Sequence, residues 1–203
     1  MNEIEVFADV ACPFTHVGLR RIIHERAQLG RATPRLRVRA WPLELVNRQP
    51  FDPGAMADKC AALREQVAPE LFSNVNPTTW PSTSLPALSL IHAAYRTSTE
   101  MGERAGLEVR EALFERGRDI SDEAELATIA RHLGIASTND DDVTSIEADW
   151  AEGQERGVIG SPHFFFGDDH VFCPTLDITH PDGELRIRID EPALAAFLAQ
   201  IFG

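Results

Sequence analysis

A cysteine placed between a short apolar strand and a helix constrains this chain more than any other feature. The stretch Asp9-Val10-Ala11-Cys12-Pro13-Phe14-Thr15-His16-Val17-Gly18 follows the apolar run Ile4-Glu5-Val6-Phe7-Ala8 and opens a helical pattern reaching about Gly30. At such a junction the first helical N–H groups lack partners, and the macrodipole favours a negative charge. A thiolate is such a charge, so the pKa of Cys12 is expected to fall and its reactive fraction at neutral pH to rise. Pro13 suits the first helical position, where its missing N–H costs nothing. A second cysteine three residues on would complete a dithiol motif, but that position is Thr15. The alternative for Cys12 is a small buried hydrophobe.

The rest of the chain reads as a frame around that junction. The helix from Cys12 carries a buried stripe of Val17, Leu19, Ile22, Ile23 and Ala27 between charged residues. From Pro34 to Pro42, Leu36, Val38 and Ala40 alternate with Arg35, Arg37 and Arg39, the period of a half-buried strand. Two strands joined by such a helix form a βαβ unit with parallel strands and a right-handed crossover. Asn47 to Gly54 is a loop. From 55 to 138 no strand pattern occurs, and helices are predicted over 55–67, 84–101, 103–117 and 122–134, with Pro69, Pro77, Pro81, Gly102 and Gly134 at their limits. Asn139 and the acids Asp140 to Asp142 fit a helix start and its dipole, opening a helix to about Gly157.

Strand signals return from Gly157 to Phe166, and after Gly167-Asp168-Asp169 from His170 to Cys173, which predicts a β-hairpin. Leu185 to Ile189 alternates again, and Glu191 to Phe202 reads as a closing amphipathic helix. The expected architecture is α/β: a core of residues 1–54 and 139–203, ordered βαβ … ββα, interrupted by an all-helical insertion over 55–138. Pro162 stands before a strongly apolar strand, where a proline belongs at the first residue or an edge. A cis bond there would present the backbone of Ser161 beside a substrate groove.

These residues resemble the DsbA-like branch of the thioredoxin superfamily. They are similar to FrnE-like predicted dithiol-disulfide isomerases, with 2-hydroxychromene-2-carboxylate isomerase and kappa-class glutathione transferase as cousins. The likeness covers nearly the whole chain: Cys12-Pro13, Ser84 to Tyr95, Ala112 to Ser121, and Glu155 to Phe164. It implies a thioredoxin-like core with a helical insertion, Cys12 as the attacking sulfur and a cis Pro162 facing it. Thr15 is expected to support the sulfur through its hydroxyl, and Pro13, Phe14, His16, Ser161, Pro162 and His163 to contact substrate. Because Thr15 replaces the resolving cysteine, a mixed disulfide at Cys12 needs an outside thiol to resolve it.

Composition narrows the function. A net charge of -13 over 203 residues argues against nucleic acid, which requires clustered Lys and Arg. No apolar run approaches a membrane span, and the N-terminus shows no signal pattern unless the chain is a mature form. Cysteines at 12, 60 and 173 make no disulfide scaffold, so a cytoplasmic location is expected.

The first reading is a thiol-disulfide oxidoreductase with one nucleophilic cysteine and no tightly bound cofactor. Glutathione or another low-molecular-weight thiol would be its co-substrate, with a small apolar or disulfide substrate as partner; a homodimer is left open. The second reading is a glutathione-dependent transferase or isomerase, and the third a non-catalytic binding protein on the same fold. Three further expectations concern side chains. His16, one turn from Cys12, either favours the thiolate or sits at the surface. His163 lines the groove or packs in the sheet. Asp168, Asp169, His170, Asp177, His180 and Asp182 show no metal-ligand spacing, and no metal is expected. Finally, a three-residue hairpin loop would set Phe166 opposite His170 and His163 opposite Cys173. That register would bring Cys173 near Cys12 as a substitute resolver, unless it is an inert core cysteine.

Overall fold

The structure is a computed structural model that describes residues 2–136 and 138–203. Strand β1 (Glu3–Ala8), helix α1 (Pro13–Gln28) and strand β2 (Arg35–Ala40) form the expected βαβ unit, with Val6 beside Val38 in a parallel pair. Then come α2 (Leu43–Asn47), α3 (Pro53–Gln66), α4 (Leu85–Tyr95), α5 (Thr99–Phe114), α6 (Glu123–Leu133) and α7 (Asp140–Glu155). The chain returns through β3 (His163–Phe166) and β4 (Asp169–Phe172), which extend the sheet to the order β2-β1-β3-β4. A separate hairpin of β5 (Leu176–Thr179) and β6 (Arg186–Ile189) precedes α8 (Glu191–Phe202).

Burial follows the alternation of the strands. Ile4, Val6 and Phe164 share one core cluster with Val17, Leu19 and Ile22 of α1. Phe197 of α8 closes on Phe164 and Phe166 there, with ring centroids 5.1 and 5.3 Å apart. Phe7, Trp41 and Val158 form a second cluster with Phe165 and Trp150 of α7 packed against it. Edge strand β2 is covered by side chains. The N–H groups of Leu36, Val38 and Ala40, alternate residues along that strand, donate to Glu103, the Tyr95 hydroxyl and Asp149, each at 2.8 Å. An edge with its donors occupied offers no template for another strand.

Several sequence expectations need correction. Helix 84–101 and helix 103–117 do not divide at Gly102. The break falls at Arg96 to Ser98, where the Ser98 hydroxyl accepts from the Met101 N–H at 3.0 Å, and Gly102 lies inside α5. Gly102 is there for contact, not for a turn: a Cβ would sit 2.1 Å from the Tyr95 ring. Residues 157–162 are loop, and β3 begins only at His163. The β3–β4 loop has two residues, Gly167 and Asp168, so Phe166 pairs with Asp169 and His163 with Phe172. Gly167 at φ 62° takes the positive angle that suits tight hairpins, whose twist matches the strands. Strand β5 was expected as loop. Its residues Leu176-Asp177-Ile178-Thr179 alternate too briefly to stand out beside the flanking prolines.

Gly102→Ala should therefore be costly. The Tyr95 hydroxyl donates to Leu36 O at 2.9 Å and accepts from Val38, so the ring cannot withdraw without uncovering β2. Overpacking of this kind costs about 1–3 kcal/mol, and in a chain of this size each kcal/mol lowers the thermal midpoint by about 2–4 °C. An unchanged midpoint in calorimetry would show that the ring yields freely.

Candidate active site

The site is built where β1 ends. Asp9 to Ala11 carry the chain out of the sheet, Cys12 caps α1 with φ -78° and ψ 115°, and Pro13 occupies the first turn. No side chain caps the helix and no acid lies in its first turn, so its N-terminal dipole is left to the Cys12 sulfur. Cys12 is 3 % exposed, and its thiol donates to Ser161 O at 3.3 Å. The Ser161–Pro162 peptide is cis. Two segments some 150 residues apart in sequence thus meet across the sulfur.

Thr15 does not reach back to the thiol as expected. Its hydroxyl lies 2.8 Å from Ser161 Oγ, which also accepts the Asp9 N–H at 2.9 Å. Thr15 is fully buried, so its hydroxyl must take a neighbouring polar partner, and Ser161 is the one in reach. Its effect on the sulfur is indirect, through the loop that presents Ser161. Pro13 is buried and Phe14 half-buried beside them.

His16 is neither a thiolate partner nor a surface residue. It is fully buried between Phe72 and Phe114, and its Nε2 lies 3.1 Å from Glu115 Oε1. Burial lowers its pKa, against the opposing pull of Glu115. Glu115 is itself held down at about 2: burial works the other way, but bonds from His16, the Phe72 and Ser73 N–H groups and the Ser73 hydroxyl outweigh it. The pair is therefore a neutral imidazole donating from Nε2 to a carboxylate.

His163 packs in the sheet. It stacks on Phe165 at 4.9 Å, and its Nε2 lies 3.0 Å from His170 Nδ1. Burial, then the charges of His170 and Arg156, push its pKa down to about 4. Cys173 falls just past β4 at φ 43°, with its N–H on Pro162 O at 3.0 Å. It is close to the site but not by the expected pairing. Burial and the charge of Cys12 push its thiol up to about 12, which works against a resolving role. Cys60 is a core residue of α3, its thiol also raised by burial. All three cysteines are free. Among the described residues no group of three or more His, Cys, Asp or Glu is arranged to hold a metal.

Two functional candidates were missed by sequence reasoning. Asp9, fully buried, receives the Ala11 N–H at 2.7 Å, the Leu43 N–H at 2.6 Å and the Ser84 hydroxyl at 3.2 Å. Burial nonetheless raises its pKa to about 6. Its backbone oxygen accepts both the Cys12 N–H at 3.3 Å and Arg110 Nη2 at 3.1 Å. Arg110 comes from α5, a hundred residues away, and no local motif marks it. The available signal was Gly102-x-x-x-Gly106-x-x-x-Arg110, two glycines and an arginine on one helix face.

This arrangement, a lone cysteine at a helix N-terminus facing a cis-proline loop, accompanies a family match: the DsbA-like thioredoxin domain matches residues 3–179. The chain belongs to the DsbA-like thioredoxin domain family. No curated protein matches it significantly. Among solved structures, a candidate protein disulfide isomerase from Nitrosomonas europaea superposes with TM-score 0.65 at 18% identity, covering 98% of each chain. The cytosolic disulfide reductase DsbM from Pseudomonas aeruginosa with GSH gives 0.64 at 12% identity, covering 99% of this chain and 100% of that one. A 2-hydroxychromene-2-carboxylate isomerase gives 0.58 at 16% identity, covering 84% and 88%. At these identities the likeness establishes a shared fold, the DsbA-like α/β core with its helical insertion. No helix among the described residues is long and apolar enough to cross a membrane.

Proposed function

We propose that this DsbA-like protein is an enzyme of thiol-disulfide exchange that works through Cys12 alone, with glutathione or a similar small thiol as co-substrate. The observation that carries this reading is the Cys12 sulfur at the uncapped N-terminus of α1, against Ser161 O and with Thr15 where a second sulfur would stand. The Cys12 thiolate attacks the glutathione sulfur of a mixed disulfide, RS–SG. Glutathione becomes bonded to Cys12, and RS⁻ leaves with the electron pair. A second glutathione thiolate then attacks the bound glutathione sulfur, releasing oxidised glutathione and the Cys12 thiolate. The GSH-bound state of DsbM, which shares the fold, supports the choice of co-substrate. A cytoplasmic setting fits, since reduced glutathione is held in excess there.

Intact mass after incubation with oxidised glutathione tests this. One glutathionyl adduct is expected on the wild type and none on Cys12→Ser. Wild-type protein that stays unmodified would overturn the reading. Turnover of a small electrophile that requires glutathione but forms no oxidised glutathione would point instead to a transferase or isomerase.

A further inference from the structure

Arg110 carries no catalytic assignment, yet its surroundings are unusual. The whole side chain is buried, at 0 % exposure. Nη1 donates to Gly106 O at 3.1 Å and Nη2 to Asp9 O at 3.1 Å, while Nε has no partner at all. A Cβ at Gly106 would stand in ordinary contact with Nη1, at 3.6 Å. Among the described residues Arg110 makes no close ion pair with a carboxylate, unlike buried Arg26, which grips Glu103 with both terminal nitrogens. A buried cation without a partner is costly, so the fold retains one only where an anion balances it.

The anions in reach are at the active site. Arg110 Nη2 and the Cys12 N–H both donate to the Asp9 carbonyl oxygen, so the guanidinium and the residue that carries the sulfur are held by the same acceptor. We propose that Arg110 is a positioning residue for Cys12, the fixed positive charge against which the thiolate is balanced both as attacking and as leaving sulfur. Burial lowers the Arg110 pKa to about 10, while Asp9, Cys12 and Tyr95 act to raise it, so the guanidinium stays charged through the neutral range. The consequence deepens the exchange reading on which it rests. A thiolate leaves a disulfide more readily the more its charge is stabilised. A monothiol enzyme must be expelled by an external thiol, so a buried cation behind Cys12 assists the step that a second cysteine performs elsewhere.

Other charged and titratable groups bear on the sulfur's surroundings. Asp9 titrates near 6 and shares Arg110; Tyr95 faces Arg110 from α4; Cys60 and Cys173 feel the Cys12 charge and stay protonated; and the His16–Glu115 pair lies one turn along α1. The experiment is the rate of Cys12 alkylation by iodoacetamide from pH 5 to 10, with Cys60 and Cys173 replaced by alanine. Arg110→Gln keeps a polar, neutral side chain, shorter than arginine, and removes the charge. It should move the alkylation midpoint to higher pH and slow the reaction at pH 7 about tenfold, as the loss of a nearby opposite charge does. Arg110→Lys should recover most of the rate. Superimposed profiles for folded Arg110→Gln and its parent would overturn the proposal.

Should Arg110→Gln fail to fold, the longer neutral Arg110→Met and the charge-keeping Arg110→Lys decide. Arg110→Met should alkylate more slowly than Arg110→Lys, and equal profiles for the two would refute the charge balance. Because alkylation needs no glutathione, the two readings fail separately. Rapid, Arg110-dependent alkylation without any glutathionyl adduct sinks the exchange function alone. An adduct with Arg110-independent alkylation sinks the role of Arg110 alone.

Discussion

Cys12→Ser is expected to lower disulfide exchange on the order of 10³-fold or more, as removal of an essential nucleophile does. A serine hydroxyl needs a general base, and among the described residues none faces position 12. His16 is turned to Glu115 and His163 to His170, and both are held neutral by burial. The helix N-terminus that favours a thiolate cannot by itself ionise an alcohol. Thr15→Cys makes the complementary case. Position 15 is one turn along α1 from Cys12 and wholly buried, and cysteine replaces threonine with little change of volume. The new sulfur should attack the glutathionyl adduct on Cys12, form an internal disulfide and release glutathione. After oxidised glutathione, the wild type should thus carry an adduct and Thr15→Cys should instead lose two hydrogens. A persistent adduct on Thr15→Cys would mean that the second position cannot resolve in this fold.

The elements legible in the sequence are those whose signal is local. The strand and helix on either side of Cys12 announce themselves by period and by Pro13, and the closing helix runs from Glu191 to Phe202 as its pattern indicates. The facing of Cys12 and a cis Pro162 was implied by the family resemblance and not by either segment alone, since a single proline before a strand is ordinarily trans. What failed to show were side chains whose meaning depends on a partner far along the chain. Gly102 reads as a helix stop until Tyr95 is placed over it. His16 reads as a thiolate partner or a surface residue because the half-buried carboxylate that receives it belongs to position 115. The hairpin register turned on whether Asp169 belongs to the loop or to β4, and one residue there moved Cys173 out of the strand. Arg110 offered only a spacing, since a charge in mid-helix normally means a solvated face, and only the packed fold reveals that it is enclosed.

The same helix that carries Arg110 is fastened to the core by Glu103, and Glu103→Ala should be among the most destabilising changes in the chain. The carboxylate receives Arg26 at 2.7 and 2.5 Å, Arg35 at 2.9 Å and the Leu36 N–H at 2.8 Å. It therefore ties α5 to the end of α1 and to edge strand β2. Removing it leaves the Arg26 guanidinium, at 5 % exposure, without its counter-charge and an edge N–H without an acceptor. Breaking one side of a buried pair costs about 3–5 kcal/mol, a large share of the roughly 5–15 kcal/mol that holds a domain together. Glu103→Gln should lose less, because an amide oxygen still accepts from Leu36.

Acid separates the charge from the packing in this pair of variants. Burial works to raise the Glu103 pKa, but Arg26, the Leu36 N–H and Arg35 together hold it below the ordinary value. A carboxyl depressed in the folded state contributes its full stability above the unfolded value, about 4.3, and loses it as pH falls through the folded value. The gap between wild type and Glu103→Ala, measured by urea unfolding, should be constant from neutral pH down to about 5 and shrink below about 4. A gap that stayed unchanged into acid would assign the loss to packing, and would separate the anchoring of α5 from the ion pair that its burial demands.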